Sequence, residues 1–148
     1  MSLSLIRAPL YPDPDADQGE HTLTVSVRPG VAIGDAVEEG YRTNLPVRAV
    51  RGGQGFAPLI TVDNPAVVVE SVKLANDRSG DVVVRLYESR GARARARVRL
   101  GDGASAVVAT DLLERTGTYG VRDCGDLADR VADLRLRPFQ LVTLRFAR

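Results

Sequence analysis

The feature that most constrains this chain is alternation with a period of two. In Thr22–Arg28, Leu23, Val25 and Val27 fall on one side and Thr22, Thr24, Ser26 and Arg28 on the other. Asp81–Tyr87 places Val82, Val84 and Leu86 together, and Ala92–Leu100 places Arg93, Arg95, Arg97 and Arg99 together. Successive side chains of a strand point to opposite faces, so each segment predicts a strand. Ala66–Ala75 is rich in β-branched residues, but its alternation breaks near Val67–Val69, which predicts a strand buried on both faces or a bulge. Between it and the next strand, Asn76-Asp77-Arg78-Ser79-Gly80 is turn chemistry and predicts a hairpin. Ala106–Asp111, Arg130–Leu136 and Leu141–Phe146 complete the set. Short strands separated by Gly and Asp predict an all-β fold, an antiparallel β-sandwich. Val68, Val69, Leu86, Tyr87 and Phe139 read as its core.

One segment breaks the rule. Val31–Tyr41 sets Ile33, Ala36, Val37, Gly40 and Tyr41 at helical spacing, opposite Asp35, Glu38 and Glu39, and predicts one short helix near residues 31–41. Arg51-Gly52-Gly53-Gln54-Gly55 carries three glycines, which disfavour any regular element and mark a linker. The chain therefore divides into an N-terminal β segment, 1–50, a linker, 51–55, and a C-terminal β-sandwich domain, 56–148. The first part has too few strands for a stable sheet and needs something to pack against.

Charge excludes some functions. Lys and Arg total 20 and Asp and Glu 19, so net charge offers no argument for nucleic acid or membrane binding. Cys124 is the only cysteine, which excludes an intrachain disulfide and a cysteine-based zinc site, and points to a reducing compartment. No run approaches the roughly 20 apolar residues of a membrane span, and Met1–Leu5 lacks the pattern of a signal peptide.

The candidate chemistry is sparse. Asp13, Asp15 and Asp17 alternate like calcium ligands, but Pro12 and Pro14 fix the backbone and Thr24 stands where a calcium loop needs glutamate. The plainer reading is a loop whose carboxylates accept from backbone amides. His21, the sole histidine, and Asp17 fall short of a catalytic zinc site. No Gly-x-Ser-x-Gly elbow and no phosphate-binding loop is present. The arginine stripe of Ala92–Leu100 has no interleaved aromatics in a chain that is 5% aromatic and has no tryptophan. It reads as a solvated strand face, or one pairing acidic neighbours, before it reads as a nucleic-acid surface.

Three stretches together carry a family resemblance. They are Leu5-Ile6-Arg7-Ala8-Pro9 with Pro12-Asp13 and Ala16–His21; Val62–Lys73 leading into Val84-Arg85-Leu86-Tyr87-Glu88; and Thr110–Arg115 followed by Leu136–Leu144. In this order they resemble the C-terminal end of glycoside hydrolase family 38 α-mannosidases of the cytosolic and bacterial type. The resemblance implies a non-catalytic β domain of an enzyme that hydrolyses terminal α-D-mannosides. The nucleophile, and a zinc or other divalent metal, would belong to a catalytic domain absent here, so the chain itself is expected to be inactive and to hold no metal. Its implied partners are the catalytic and helical domains of the same enzyme, and its implied compartment is the cytoplasm. Arg7, Asp13, Asp17 and His21 become candidates for contact with the substrate or with those domains. The alternative is a free-standing carbohydrate-binding β-sandwich module.

Overall fold

Alternation becomes a strand only where a neighbour lies within hydrogen-bonding reach. The computed structural model describes every residue except Met1, Val50, Gln54, Phe56, Asp102, 118–124 and Asp129. Cys124, Gln54 of the expected linker and Phe56 at the expected domain start thus lie outside the described residues. The chain forms two compact units, Met1–Val47 and Arg48–Arg148.

Among the described residues of the first unit the only regular element is helix α1, Ile33–Asn44, which starts and ends slightly later than its periodicity predicts. The Asp35 carboxylate accepts the Ala32 N–H at 3.0 Å, satisfying a donor the first turn leaves open. Asp35 in the first turn and Arg42 in the last oppose the helix dipole with the favourable sign. Glu38 and Arg42 pair at 2.6 Å, one turn apart. Thr22–Arg28, expected as a strand, is not one. Among the described residues of this unit no second strand exists to complete a ladder, and the segment is exposed. It is tied to α1 by side chains instead, with Ser26 Oγ donating to Glu39 at 2.8 Å.

The second unit holds eight described strands: β1 Ile60–Val62, β2 Val67–Leu74, β3 Val82–Glu88, β4 Ala94–Leu100, β5 Ala106–Thr110, β6 Gly125–Ala128, β7 Val131–Leu136 and β8 Leu141–Ala147. They form two antiparallel sheets, β1-β4-β7-β6 and β2-β3-β8-β5. The inward residues of both sheets meet in one apolar layer. Val84, Leu86, Val98, Ala132, Leu144 and Phe146 are inaccessible to solvent there. A side chain such as Phe146 gains about 1.5–3 kcal/mol from that burial. The expected hairpin joins β2 to β3, and the expected irregularity in β2 is a bulge: the register slips between Val69 and Ser71, leaving Glu70 as the extra residue. Leu86 lies in the core, whereas Phe139 is 70% exposed. Phe139 occupies a left-handed turn position, φ 56°, and lays its ring against Gly91, where a Cβ would meet the ring at 2.7 Å.

Candidate functional site

The polar stretch Arg7–His21 is an ordered loop. Asp13 Oδ1 accepts the Asp15 N–H at 3.0 Å, an Asx-turn, and Gln18 Nε2 donates to the Pro14 carbonyl at 2.9 Å. Asp17 adopts a left-handed conformation, φ 55°, and its carbonyl accepts from His21 Nε2 at 2.8 Å. The structure thus brings Asp17 and His21 together through a backbone oxygen, not through two side chains. Arg7 makes no hydrogen bond or ion pair among the described residues, and Arg7, Asp13, Asp17 and His21 are all exposed. Among the described residues no three His, Cys, Asp or Glu side chains are placed to hold a metal ion. No helix among them is long and apolar enough to cross a membrane.

The second unit contains three polar constructions that alternation alone did not disclose. The first is Glu88. It follows Val82, Val84 and Leu86 on the inward side of β3 and is fully buried. Its carboxylate accepts the N–H groups of Arg90, Gly91, Ala92 and Phe139 at 2.8–3.2 Å. Burial alone would raise its pKa, but the amides of Phe139, Arg90, Gly91 and Ala92 outweigh it and hold the group below the ordinary glutamate range. One side chain therefore locks the β3–β4 turn to the β7–β8 turn. A carboxylate on the apolar side of an alternating run was the signal available for it.

The second construction covers a sheet. The segment after β5, at one edge of the β2-β3-β8-β5 sheet, crosses the outer face to β2 at the other edge. On the way the Leu112 carbonyl accepts from Arg85 Nη2 of β3 at 2.9 Å. At the far side Glu114 accepts the Asn76 N–H at 2.7 Å and pairs with Lys73 of β2. The Asn76 amide and Lys73 lower its pKa. Asp111 holds the turn by accepting the N–H groups of Leu113 and Arg115 and the Arg115 guanidinium. Val83, on this outer face between Lys73 and Arg145 in register, is completely buried. Arg85 Nε and Thr110 Oγ1 are buried without a hydrogen-bond partner among the described residues. Beside the crossing lies a cleft of about 450 Å³, rimmed by Leu112, Leu113 and Leu141 with Thr110, Gln140 and Thr143 beneath.

The third is the outer face of the other sheet, which bears the arginine stripe. Asp63 and Asn64, just beyond β1, continue its pairing with side chains: Asp63 Oδ1 accepts the Arg97 N–H at 2.7 Å and Asn64 Nδ2 donates to the Arg95 carbonyl at 2.8 Å. On the face itself Arg97 forks onto Asp133 of β7 at 2.7 and 3.2 Å. The Asp133 carboxylate is held below its ordinary range by that guanidinium. Both readings of the stripe therefore meet here. Arg97 pairs with an acid, while the side chains of Arg93, Arg95 and Arg99 are exposed and make no hydrogen bond or ion pair among the described residues.

Two antiparallel four-stranded sheets closed over one apolar layer define the class, a β-sandwich domain. The chain belongs to the glycosyl hydrolases family 38 C-terminal beta sandwich domain family, whose model matches residues 66–144. It is 34% identical to Alpha-mannosidase 2C1 of Homo sapiens over 154 aligned positions, covering 97% of this chain and 14% of that protein. Alpha-mannosidase G of Dictyostelium discoideum is 25% identical with 99% and 14% coverage, and Alpha-mannosidase of Saccharomyces cerevisiae 26% identical with 98% and 15%. The chain thus spans about one seventh of the length of the curated relatives it matches. The matched family residues contain Glu88, the crossing segment and the arginine face.

Proposed function

We propose that this chain is the C-terminal β-sandwich part of a longer α-mannosidase that hydrolyses terminal α-D-mannosides, and that it acts as a structural partner of the catalytic region. One observation carries the reading: 97% of the chain aligns with a small fraction of an α-mannosidase. In this reading the nucleophile, and the zinc or other divalent cation, reside in the preceding catalytic domain, and the enzyme works in the cytoplasm. Retaining glycosidases require two carboxyl groups set about 5–5.5 Å apart around the scissile bond. The Asp13 carboxylate is engaged in a turn with the Asp15 N–H, and Asp17 contacts His21 through its backbone carbonyl. We assign Arg7, Asp13, Asp17 and His21 to the surface that meets the preceding domains or reaches the cleft, because all four are turned outward on an ordered loop.

The test compares two proteins, this chain and the longer enzyme translated from the same gene. A chromogenic α-mannoside is expected to be hydrolysed by the longer enzyme only, with activity removed by a chelator and restored by a divalent metal. Turnover by the purified chain would refute the reading. Saturable mannose binding by the chain would instead favour a carbohydrate-binding module.

A further inference from the structure

The arginine face contains an arrangement that pairing within the fold does not explain. In the β4–β7 ladder, Arg95 lies directly opposite Arg135, and Arg93 and Arg137 flank the next pair, Ala94 with Leu136. Like charges directly opposite each other destabilise a sheet. Two pairs along the ladder in the other direction, where Arg97 faces Asp133, the same two strands make the favourable pair. Arg93, Arg95, Arg135 and Arg137 line one cleft of about 430 Å³, floored by Ala94 and Leu136, and no carboxylate lines it. Arg135 reaches Asp126 at 3.2 Å across an exposed gap, and Arg137 Nε approaches Gln140 Oε1 at 3.5 Å. The first is an ion pair between two exposed side chains and offsets at most one of the four charges. Overall basicity is not the cause, since the formal net charge of the chain is only +1.

We propose that this cleft binds a compact multivalent oxyanion of the phosphate class. Guanidinium groups present planar donor forks that match phosphate oxygens two at a time, and such charge-assisted bonds are stronger than neutral ones. Arginines from two adjacent strands can hold one tetrahedral anion from both sides, which turns the repulsion between Arg95 and Arg135 into a shared attraction. A nucleic-acid strand fits less well, because no aromatic side chain lines the cleft on which a base could stack. The inference does not depend on the mannosidase reading, and it concerns a site distinct from Arg7–His21.

The experiment is a calorimetric titration of this chain at low ionic strength with inorganic pyrophosphate, with a hexose phosphate as a second arm. A one-to-one isotherm that weakens with added sodium chloride is expected, and the tighter arm identifies free phosphate or a phosphate ester as the source. The double variant Arg95→Gln with Arg135→Gln should weaken binding at least tenfold, while Arg78→Gln, in the β2–β3 turn, should not change it. Arg95→Glu guards against misfolding as an explanation. It replaces the like-charge pair by an opposite-charge one, so it should abolish binding with a melting temperature at or above that of the parent chain. No saturable binding at millimolar pyrophosphate, or binding equally weakened by Arg78→Gln, overturns the proposal. Tighter binding of an acidic peptide than of either phosphate also overturns it and makes the face a protein-docking surface.

Discussion

The two sheets share one core yet treat their outer faces in opposite ways. On the β2-β3-β8-β5 sheet, the segment after β5 lies across the face, and its carboxylates are spent on named partners: Asp111 on its own turn, Glu114 on Asn76 and Lys73. Val83 is sealed beneath. On the β1-β4-β7-β6 sheet no described segment of the same unit crosses the face, and arginines stand in rows beside three acids, Asp63, Asp126 and Asp133. Outward-pointing residues in an alternating strand are thus of two kinds. Some await a covering segment of the same chain, and others are left for solvent or a ligand.

The comparison presumes that both sheets are clamped by the same interior, and the largest effect should come from loosening that clamp. Glu88→Ala leaves the N–H groups of Arg90, Gly91, Ala92 and Phe139 without their acceptor. A loss of about 3 kcal/mol is expected in urea unfolding, on the scale of stranded partly buried donors. Glu114→Ala tests the covered face alone. Removing its bonds to Asn76 and Lys73 should cost about 1–2 kcal/mol, with faster amide exchange on β2 and β3 than on β4 and β7. If exchange quickens equally in both sheets, the two faces are not separate.

Acid should act on the same side of the molecule. Bonds from Ser79 and Arg145 hold Asp77 at a pKa of about 2, and Asp81 is lowered chiefly by Arg145. Both folded values lie below the unfolded ones, so their contribution is present above the unfolded value and fades as pH falls through the folded value. The β2–β3 turn is therefore expected to stay ordered below pH 4 and to loosen towards about pH 2, read from the amide signals of residues 76–81. Asp77→Asn should shift that loosening upward. The smallest effect belongs to the open face. Arg97→Ala removes a pair whose side chains are about half exposed, 55% and 48%, and should change stability little. A large loss there would mean that this face, too, is structurally committed.

Most of the sandwich was legible because burial on one face imposes a period that sequence displays directly. β3, β4, β7 and β8 follow their predicted spans within two residues, and the irregularity of β2 resolved into a bulge at Glu70. Two strands were not legible. Ile60–Val62 is too short to establish a period, and Gly125–Ala128, four residues opened by a glycine, is equally short of one. There the Asp133 carbonyl would stand 2.1 Å from any Cβ, so tertiary approach and not strand propensity selects the residue. Thr22–Arg28 failed in the converse way, since alternation states where side chains can point and not whether a neighbouring strand exists. The covering segment was hidden because Asn76 and Glu114 lie 38 residues apart and meet only in the folded sheet. Arg7, Asp13, Asp17 and His21 were legible as a polar loop, but their grouping was not: the histidine contact runs through the Asp17 carbonyl, which no pattern of side chains announces.

The bulge at Glu70 has a consequence for solubility. β2 is the outermost strand of its sheet, and an outermost strand with an unbroken row of amides and carbonyls invites a second molecule to add its own strand. The extra residue puts the two halves of β2 out of step, so a straight incoming strand can match one half and not the other. The same residue that interrupts the reading of the strand thereby discourages sheet-to-sheet polymerisation at that edge.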